Sequence, residues 1–541
     1  MPCPVLVLSP PFAGMLKLSP PTADGSLKCR DMNHSAAVEP TFTMQSPRSL
    51  TRWWMPSLSD LLFVALLFWL LLFTNAGSPN GLLSDAATGF HIRTGERILD
   101  TGGLPYQDPF SFSKPGESWF AWEWLADLLF AGLYRAGGLK WIVLFSAATL
   151  AGTCWLTLRS MVRAGANALA AIFVLHAVIG ASSVHFLARP HIFTILFLAV
   201  AFQLLRDDDA RPSRRIWWLI PLTAVWVNLH GGFAGLLVTL SVLTAGATLE
   251  RHWDRARRLG MLLAGCLAAS LVNPYGYRLH VHLAEYLRAD WIRKLVQEFQ
   301  APVLETASGS YFELLLFAGL VAAARLAWQG NWSWALLIAA WAHASLLSVR
   351  HVPIFAALVA APIAVMLSDG MRLLAERGGR KSIAAVLDAI GREHVPNLLR
   401  ASALVPVLLL GLAVSDAGLT YPADFPSGKF PVELIAKHRT LIEQARLFTL
   451  DAWGDYLVYR HYPRQRVFFD GRTDYYGQRM SEEYLALVNG GAGWRKSLEK
   501  YGVDAVMMST ASPLTQSLAV DPAWQLVDQL DEVALYRRRS K

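Results

Sequence analysis

The sequence has little charge and little cysteine. Asp, Glu, Lys and Arg make up only 17% of its 541 residues, whereas about 25% is usual for a soluble protein. Its four cysteines form no CxxC pair and no His/Cys ligand pattern, which argues against a zinc site or a disulfide framework. The net charge of +8 comes from arginines clustered between apolar runs. That distribution is typical of membrane topology signals and not of nucleic-acid binding.

Long apolar runs are what the sequence has instead. Hydrophobic residues make up 54% of the chain and the mean hydropathy is +0.33. Runs of about 16 to 20 residues recur, the length that crosses about 30 Å of hydrocarbon. They predict an all-α polytopic membrane bundle of about eleven transmembrane helices. The predicted spans are 58–74, 139–158, 167–185, 191–205, 216–228, 231–249, 260–272, 311–328, 332–348, 352–367 and 401–415.

Basic residues in every second connection set the predicted orientation. By the positive-inside rule, the arginine-rich connections are cytoplasmic, so the N-terminus is inside and the C-terminus outside. Residues 1–55 are rich in Pro and Ser, lack a cleavable signal and predict a disordered cytoplasmic tail. Residues 56–416 form the predicted membrane domain, with a first exterior loop at 75–138. Residues 417–541 alternate short strand-like and helix-like segments, which predicts a small exterior α/β domain.

Polar side chains gather at the predicted exterior ends of the spans, and the span interiors hold almost no charge. Fixed cations and donors at that depth suit a lipid-linked phosphate, and a carboxylate there can deprotonate an acceptor hydroxyl. A transporter would instead need charged groups in mid-membrane. The candidate residues are Asp85, His91, Asp108, Glu123, Arg189, His191, Asn228, His230, Arg350 and His351.

Each candidate also has a structural interpretation that the sequence leaves open. Asp85 could cap the helix that follows it, and Asp108 could form a turn before Pro109. Glu123 could lie in an amphipathic segment at the membrane interface, and the arginines could anchor helices. These alternatives do not explain why "LARPHIF", "VNLHGGF" and "SVRHVPIF" repeat the same polar types. The repetition favours a functional site.

Several motifs carry a family resemblance. "DAATGFHIRTGERIL", "GLPYQDPFSFSKPGESWFAWEWLADLLF", "NLHGGFAGL", "VNPYGYRL", "RHVPIFA" and "VFFDGRTDYYG" resemble a bacterial branch of the GT-C class of membrane glycosyltransferases. That class includes protein mannosyltransferases, oligosaccharyltransferase catalytic subunits and lipid A aminoarabinose transferases. The resemblance covers nearly the whole chain after residue 50.

The resemblance implies a mechanism. Asp85 would act as base or metal ligand, with Asp108, Glu123 and His91 in support, and the sugar would move with inversion from a polyprenyl phosphate. A divalent cation, Mg²⁺ or Mn²⁺, is a possible cofactor, but Ala87 stands where the branch often has a second Asp, and a single carboxylate binds a hard ion less well. The residues expected to hold the lipid phosphate are Arg189, His191, Asn228, His230, Arg350 and His351. Those expected near the acceptor are Asp470, Arg472 and Asp474, for which a turn or an internal salt bridge is the alternative.

The sequence therefore predicts a multi-pass enzyme of the bacterial inner membrane. It would transfer a sugar at the outer, periplasmic face to an acceptor protein, lipid or glycan, with no nucleic-acid partner. Two other functions use the same features. A lipid-linked sugar transporter or flippase would share the phosphate-binding cations, and a non-catalytic GT-C-like envelope assembly protein could keep the scaffold after losing its acids.

Overall fold

The computed structural model describes residues 54–72, 81–414, 421 and 423–539. Residues Leu50–Lys541 form one compact unit by their internal contacts. The predicted N-terminal tail and the predicted domain boundary at residue 417 lie almost entirely outside the described residues, so both stay predictions.

Helices make up most of the described residues up to position 300. The longest, α3, is kinked where Gly137 and Gly138 leave helical geometry, with Gly138 at a positive φ of 68°. Short 3-10 turns at Ser183–His185, Arg214–Trp218 and Gln297–Phe299 join several of them. The helices are α1 (Leu58–Leu72), α2 (Ala87–Thr101), α3 (Trp124–Arg163), α4 (Ala168–Ser182), α5 (His191–Ala210), α6 (Leu219–Trp226), α7 (Phe233–Leu249), α8 (Trp253–Ala269), α9 (Tyr277–Arg288) and α10 (Asp290–Leu295).

The remaining helices of the apolar part follow, and then a mixed segment. A 3-10 turn at Val349–His351 leads directly into α13. In the apolar part the helices are α11 (Ala307–Trp328), α12 (Trp332–Leu347), α13 (Val352–Gly378), α14 (Ile383–Glu393), α15 (Val395–Leu399) and α16 (Leu404–Val414). The mixed segment contains α17 (Val432–Lys437), α18 (Arg439–Gln444), β1 (Leu447–Thr449), α19 (Asp451–His461), α20 (Thr473–Val488), α21 (Trp494–Lys500), β2 (Ala505–Ser509), α22 (Pro513–Ala519), β3 (Trp524–Leu530) and β4 (Val533–Arg538).

Several helices are long and apolar enough to cross a membrane, as a multi-pass membrane protein requires. By length and composition there are four among the described residues, or five if the pair Ile383–Leu399 and Leu404–Val414, bent by 57°, counts as one span. Every predicted apolar run contains a helix, but many are short. Run 216–228, for example, divides into a 3-10 turn and the eight-residue α6. The predicted count of eleven spans is not confirmed.

The mixed segment builds a four-stranded sheet in the order β1-β2-β4-β3. β1 runs parallel to β2, while β2, β4 and β3 pair antiparallel. The apolar stretch "RVFF" before Asp470 does not join this sheet. Val467 forms only an isolated bridge with Ser111 of the first loop, because its N–H and C=O bond to that loop and not to a neighbouring strand.

Two glycines let α2 lie unusually close to its neighbours. A Cβ on Gly89 would come within 2.4 Å of Tyr459 Cβ on α19, and a Cβ on Gly95 within 1.9 Å of the backbone oxygen of Asp127 on α3. Any larger side chain would push these elements apart. The close approach brings His91, which lies between the two glycines, against the beginning of α3.

A partly buried arginine stabilises the proline-interrupted helix α13. Pro362 has no N–H to donate to the carbonyl of Leu358, one turn earlier. The guanidinium of Arg206 on α5 donates to that carbonyl and stacks over the Trp334 ring at 5.1 Å. A neighbouring donor of this kind is what makes a proline tolerable in a membrane helix.

We therefore expect the Arg206→Met variant to lose about 1 to 3 kcal/mol of folding stability, the cost of leaving a buried acceptor without a donor. Thermal unfolding in detergent measures the loss, with Arg211→Met as the control because Arg211 is exposed at the end of the same helix. Equal unfolding temperatures for the two variants would contradict this role of Arg206.

Candidate active site

One large cavity lies where the ends of several helices meet. Its empty volume is about 1510 Å³, counting the part that opens to solvent. The 3-10 turn Ser183–His185, which follows α4, and the N-terminal ends of α5, α7 and α13 reach it, together with α9 and the start of α20. The predicted site residues that line it are His91, Glu123, Arg189, His191, His230, Arg350, His351, Arg472 and Asp474.

Two arginines from distant parts of the chain share one carboxylate on the cavity wall. Glu298 Oε1 lies 2.7 Å from Arg189 Nη1, and Glu298 Oε2 lies 3.3 Å from Arg350 Nε. Arg350 also stacks over the Phe299 ring at 4.4 Å. Burial alone would raise the pKa of Glu298, but the charges of Arg189 and Arg350 hold it well below its usual value. Glu298 is therefore ionised and fixes both guanidinium groups toward the cavity.

Asp85 is the second partner of Arg189. Its Oδ2 accepts from Arg189 Nη1 at 2.8 Å, and its Oδ1 accepts from the backbone N–H of Ala87 at the start of α2 at 2.8 Å. Asp85 thus accepts the first backbone N–H of α2, although the N-cap residue itself is Ala86, and its functional role stays a prediction. Asp85 itself is not among the residues that line the cavity.

Glu123 is a carboxyl, 15% exposed, placed between two histidines. Its Oε2 lies 3.7 Å from His91 Nε2 and its Oε1 lies 3.6 Å from His230 Nε2. Burial raises the pKa of Glu123 to about 8, against the opposing charges of Arg189 and Arg350. A carboxyl with a pKa near neutrality is suited to accept a proton from a weakly acidic group.

The histidines beside Glu123 are anchored through their other ring nitrogens. His91 Nδ1 lies 2.6 Å from Asp127 Oδ1. His230 Nδ1 accepts from the Gly232 N–H at 3.0 Å and lies 2.8 Å from the Thr194 hydroxyl. His230 Nε2 therefore carries the proton and faces Glu123. Burial, followed by nearby charges, lowers the pKa of both histidines well below the usual value, so both rings are neutral.

Two further predicted histidines line the cavity with one nitrogen tied to the backbone. His191 Nε2 donates to the carbonyl of His185 at 2.7 Å, and His351 Nδ1 donates to the carbonyl of Ala344 at 3.0 Å. In each ring the remaining nitrogen is an acceptor. These hydrogen bonds hold the two rings in place in the cavity wall.

Three predicted site residues serve the structure outside the cavity lining. Asp108 and Asp470 both pair with the buried Arg472, whose Nη1 lies 2.8 Å from Asp108 Oδ1 and whose Nη2 lies 2.6 Å from Asp470 Oδ2. Burial would raise the pKa of Asp108, but Arg472 lowers it. Asn228 accepts from Trp124 Nε1 at 2.8 Å and donates to the carbonyls of Ala224 and Val272. The predicted salt bridge near Arg472 is thus present.

Asp474 lies at the cavity edge and pairs with a histidine that the sequence did not suggest. Asp474 Oδ2 is 3.0 Å from His282 Nε2, and the His282 ring stacks on Phe120 at 5.3 Å with an interplanar angle of 9°. Burial would lower the pKa of His282, but the bond to Asp474 raises it. The pair joins α9 to α20 at the cavity.

Among the residues described, no three His, Cys, Asp or Glu side chains are grouped so that they could hold a metal ion. Both carboxylate oxygens of Asp85, the predicted ligand, already accept hydrogen bonds, one from Arg189 and one from the backbone N–H of Ala87. The donor set therefore does not fit a Mg²⁺ or Mn²⁺ site, and we assign no step to a metal.

Sequence reasoning missed Asp127, Glu298 and His282. Asp127 follows Glu123 by four residues in "WEWLADLLF", a helical spacing that could have suggested it. Glu298 and His282 lie between the predicted spans 260–272 and 311–328, where the sequence offered no signal. The partner of His282, Asp474, is 192 positions away.

No family model and no curated protein matches the sequence. Solved structures do match its fold. One is the archaeal oligosaccharyltransferase AglB from Archaeoglobus fulgidus in complex with an inhibitory peptide and a dolichol-phosphate, with a TM-score of 0.53 and 12% identity over 83% of this chain and 68% of that chain. Another is the apo form of an Archaeoglobus fulgidus oligosaccharyltransferase, with a TM-score of 0.50 and 10% identity over 84% of this chain and 70% of that chain.

A third is apo ArnT from Cupriavidus metallidurans, with a TM-score of 0.45 and 15% identity over 88% of this chain and 97% of that chain. The two oligosaccharyltransferases establish the fold of the chain, and at that level the predicted resemblance to the GT-C class is confirmed.

Proposed function

We propose that the protein transfers a sugar from a polyprenyl-phosphate donor to an acceptor at the outer, periplasmic face of a bacterial inner membrane. One observation carries the proposal. The cavity beside apolar helices brings together two partly buried arginines, Arg189 and Arg350, and the carboxyl of Glu123, whose pKa is raised to about 8. Fixed cations for a leaving phosphate and a base for an acceptor are the two requirements of this reaction.

The donor phosphate would lie between the two guanidinium groups. Both are held in place by Glu298, so little ordering is needed when the phosphate binds. The N-terminal ends of α5 and α13 reach the same wall, and helix N-termini favour anions. The oligosaccharyltransferase that shares the fold was solved with a dolichol-phosphate and a peptide, which supports a lipid-phosphate donor and a peptide or glycan acceptor here.

In the proposed step, the acceptor's O–H or N–H attacks the anomeric carbon from the side opposite the phosphate. The new bond forms as the bond between that carbon and the phosphate oxygen breaks, so the configuration inverts. The phosphate keeps the electron pair and is stabilised by Arg189 and Arg350. The acceptor proton passes to Glu123, whose ionised form faces the N–H of His230.

Asp85 would position Arg189, and the base role predicted from the sequence stays open. Asp85→Asn keeps the side-chain shape but removes the charge that pairs with Arg189. We expect about a tenfold loss of transfer from this weaker phosphate contact. We also expect an unchanged pH profile, because Glu123 still takes the proton. Transfer rates measured between pH 6 and 9 decide between the roles, and a flattened profile in this variant would make Asp85 the base.

The function itself is tested with purified protein and labelled polyprenyl-phosphate sugars. We expect free polyprenyl phosphate and a glycosylated acceptor. Movement of the intact donor across vesicles without cleavage would identify a flippase, and binding without either event would identify a non-catalytic assembly protein.

A further inference from the structure

Helix α14 exposes an apolar face that no described residue covers. Ile383 is 80% exposed, and Val386, Leu387 and Ile390 are each more than 40% exposed. Their spacing of three, four and seven residues places them on one side of the helix. The opposite side is buried, because Asp388 and Gly391 pack against the start of α4.

Three exposed cations stand beside this face. Arg377 lies in the last turn of α13, and Arg380 and Lys381 lie in the turn that leads into α14. None of the three has an ion-pair partner among the residues that the structure describes. The exposed acids nearby are Glu376 and Glu393. An apolar face bordered by unpaired cations is the pattern of a helix that lies in the interface of an anionic membrane.

The position of α14 in the fold agrees with that pattern. It packs against Asn167 at the N-terminal end of α4, whereas the 3-10 turn Ser183–His185 that follows the other end of α4 contributes His185 to the cavity lining. Since α4 has 15 residues, it rises about 22 Å, most of the way across a bilayer core. The helical segment that contains α14 is also bent by 57° from the apolar helix α16, which turns it away from the direction of a span.

We propose that α14 is a membrane-surface helix that binds anionic phospholipid on the side opposite the cavity. Its face of Ile383, Val386, Leu387 and Ile390 enters the interface between acyl chains and headgroups. Arg377, Arg380 and Lys381 bind the headgroup phosphates, which unpaired cations near a negative surface attract. The inference does not depend on the proposed enzymatic function.

The full-length protein tests the proposal after reconstitution into vesicles of phosphatidylcholine, with or without phosphatidylglycerol. A nitroxide label is placed at Val386→Cys or Ile390→Cys, after Cys3 and Cys29 are replaced by Ser; Cys154 and Cys266 are buried. Collisions with oxygen and with a water-soluble nickel chelate report the depth of the label. Phe317→Cys on α11 serves as the lipid reference and Lys437→Cys as the water reference, since both side chains are about 60% exposed.

We expect labels at 386 and 390 to resemble the lipid reference when phosphatidylglycerol is present and to move toward the water reference without it. Neutralising Arg377, Arg380 and Lys381 with Gln should weaken retention of phosphatidylglycerol by at least fivefold, about the effect of one interfacial cation. The proposal would be overturned if the labels resembled the water reference in both kinds of vesicle, or if their depth were the same with and without phosphatidylglycerol. Cross-links between two copies of the protein through this face would also overturn it.

Discussion

Replacing Glu123 by glutamine is expected to lower sugar transfer by about 10²- to 10⁴-fold, the usual contribution of a general base. Glutamine has nearly the same shape, so the contacts with His91 and His230 can persist. What is lost is the ability to take the acceptor's proton. Donor binding should change little, because Arg189 and Arg350 are untouched.

The pH dependence of transfer makes this prediction sharper. The base works only when deprotonated, and the pKa of Glu123 is about 8. Transfer by the unaltered protein should therefore rise about tenfold per pH unit below 8 and level off above it. The residual activity of Glu123→Gln should not follow this curve.

Glu117→Gln is a matched control from the same loop. Glu117 is an exposed carboxylate paired with Lys114, outside the cavity lining, so the variant should transfer at the normal rate. Full transfer by Glu123→Gln would rule out the base, and an equal loss in Glu117→Gln would point to a general disturbance of the loop.

Replacing Arg350 by glutamine is expected to lower transfer by about 10²- to 10³-fold, as removal of one donor to a developing anion does in other enzymes. Its guanidinium pairs with Glu298 and faces the cavity, where the leaving phosphate gains charge. Glu298 keeps Arg189 as a partner in this variant, so the fold should survive. The pH profile should keep its rise toward 8 because Glu123 is still present.

The control for Arg350→Gln is Arg135→Gln. Arg135 forms an exposed ion pair with Asp100, outside the cavity lining, and exposed pairs contribute little to stability. A normal transfer rate in Arg350→Gln would contradict the proposed phosphate site. A lower affinity for donor with unchanged turnover would assign Arg350 to ground-state binding alone.

The sequence could predict the helices because apolar runs are local. Every predicted run contains a helix, but where a run ends depends on neighbours. Gly137 and Gly138 kink α3, and run 216–228 breaks into two short pieces. Burial within the bundle also allows helices shorter than a bilayer's thickness, which run length alone does not reveal.

The site could be predicted in its residue types but not in its pairings. Asp85 and Arg189 were both candidates, yet their contact spans 104 positions and depends on how α2 and α5 pack. Asp108 was expected to be a supporting carboxylate and Asp470 to lie near the acceptor, with a turn and a salt bridge to Arg472 as alternatives. Both pair with Arg472. The contact with Asp470 is local in sequence, whereas the contact with Asp108 depends on the tertiary structure.

The central claim is that the cavity binds a polyprenyl-phosphate sugar through its arginines and cleaves it with the help of Glu123. The most direct measurement is release of polyprenyl phosphate from a labelled donor by the purified protein and by Glu123→Gln, with donor binding measured on the same samples. We expect equal binding by both, with release that rises toward pH 8 in the unaltered protein and is about 10²- to 10⁴-fold slower in Glu123→Gln. Release at equal rates, or no binding of the donor by either protein, would contradict it.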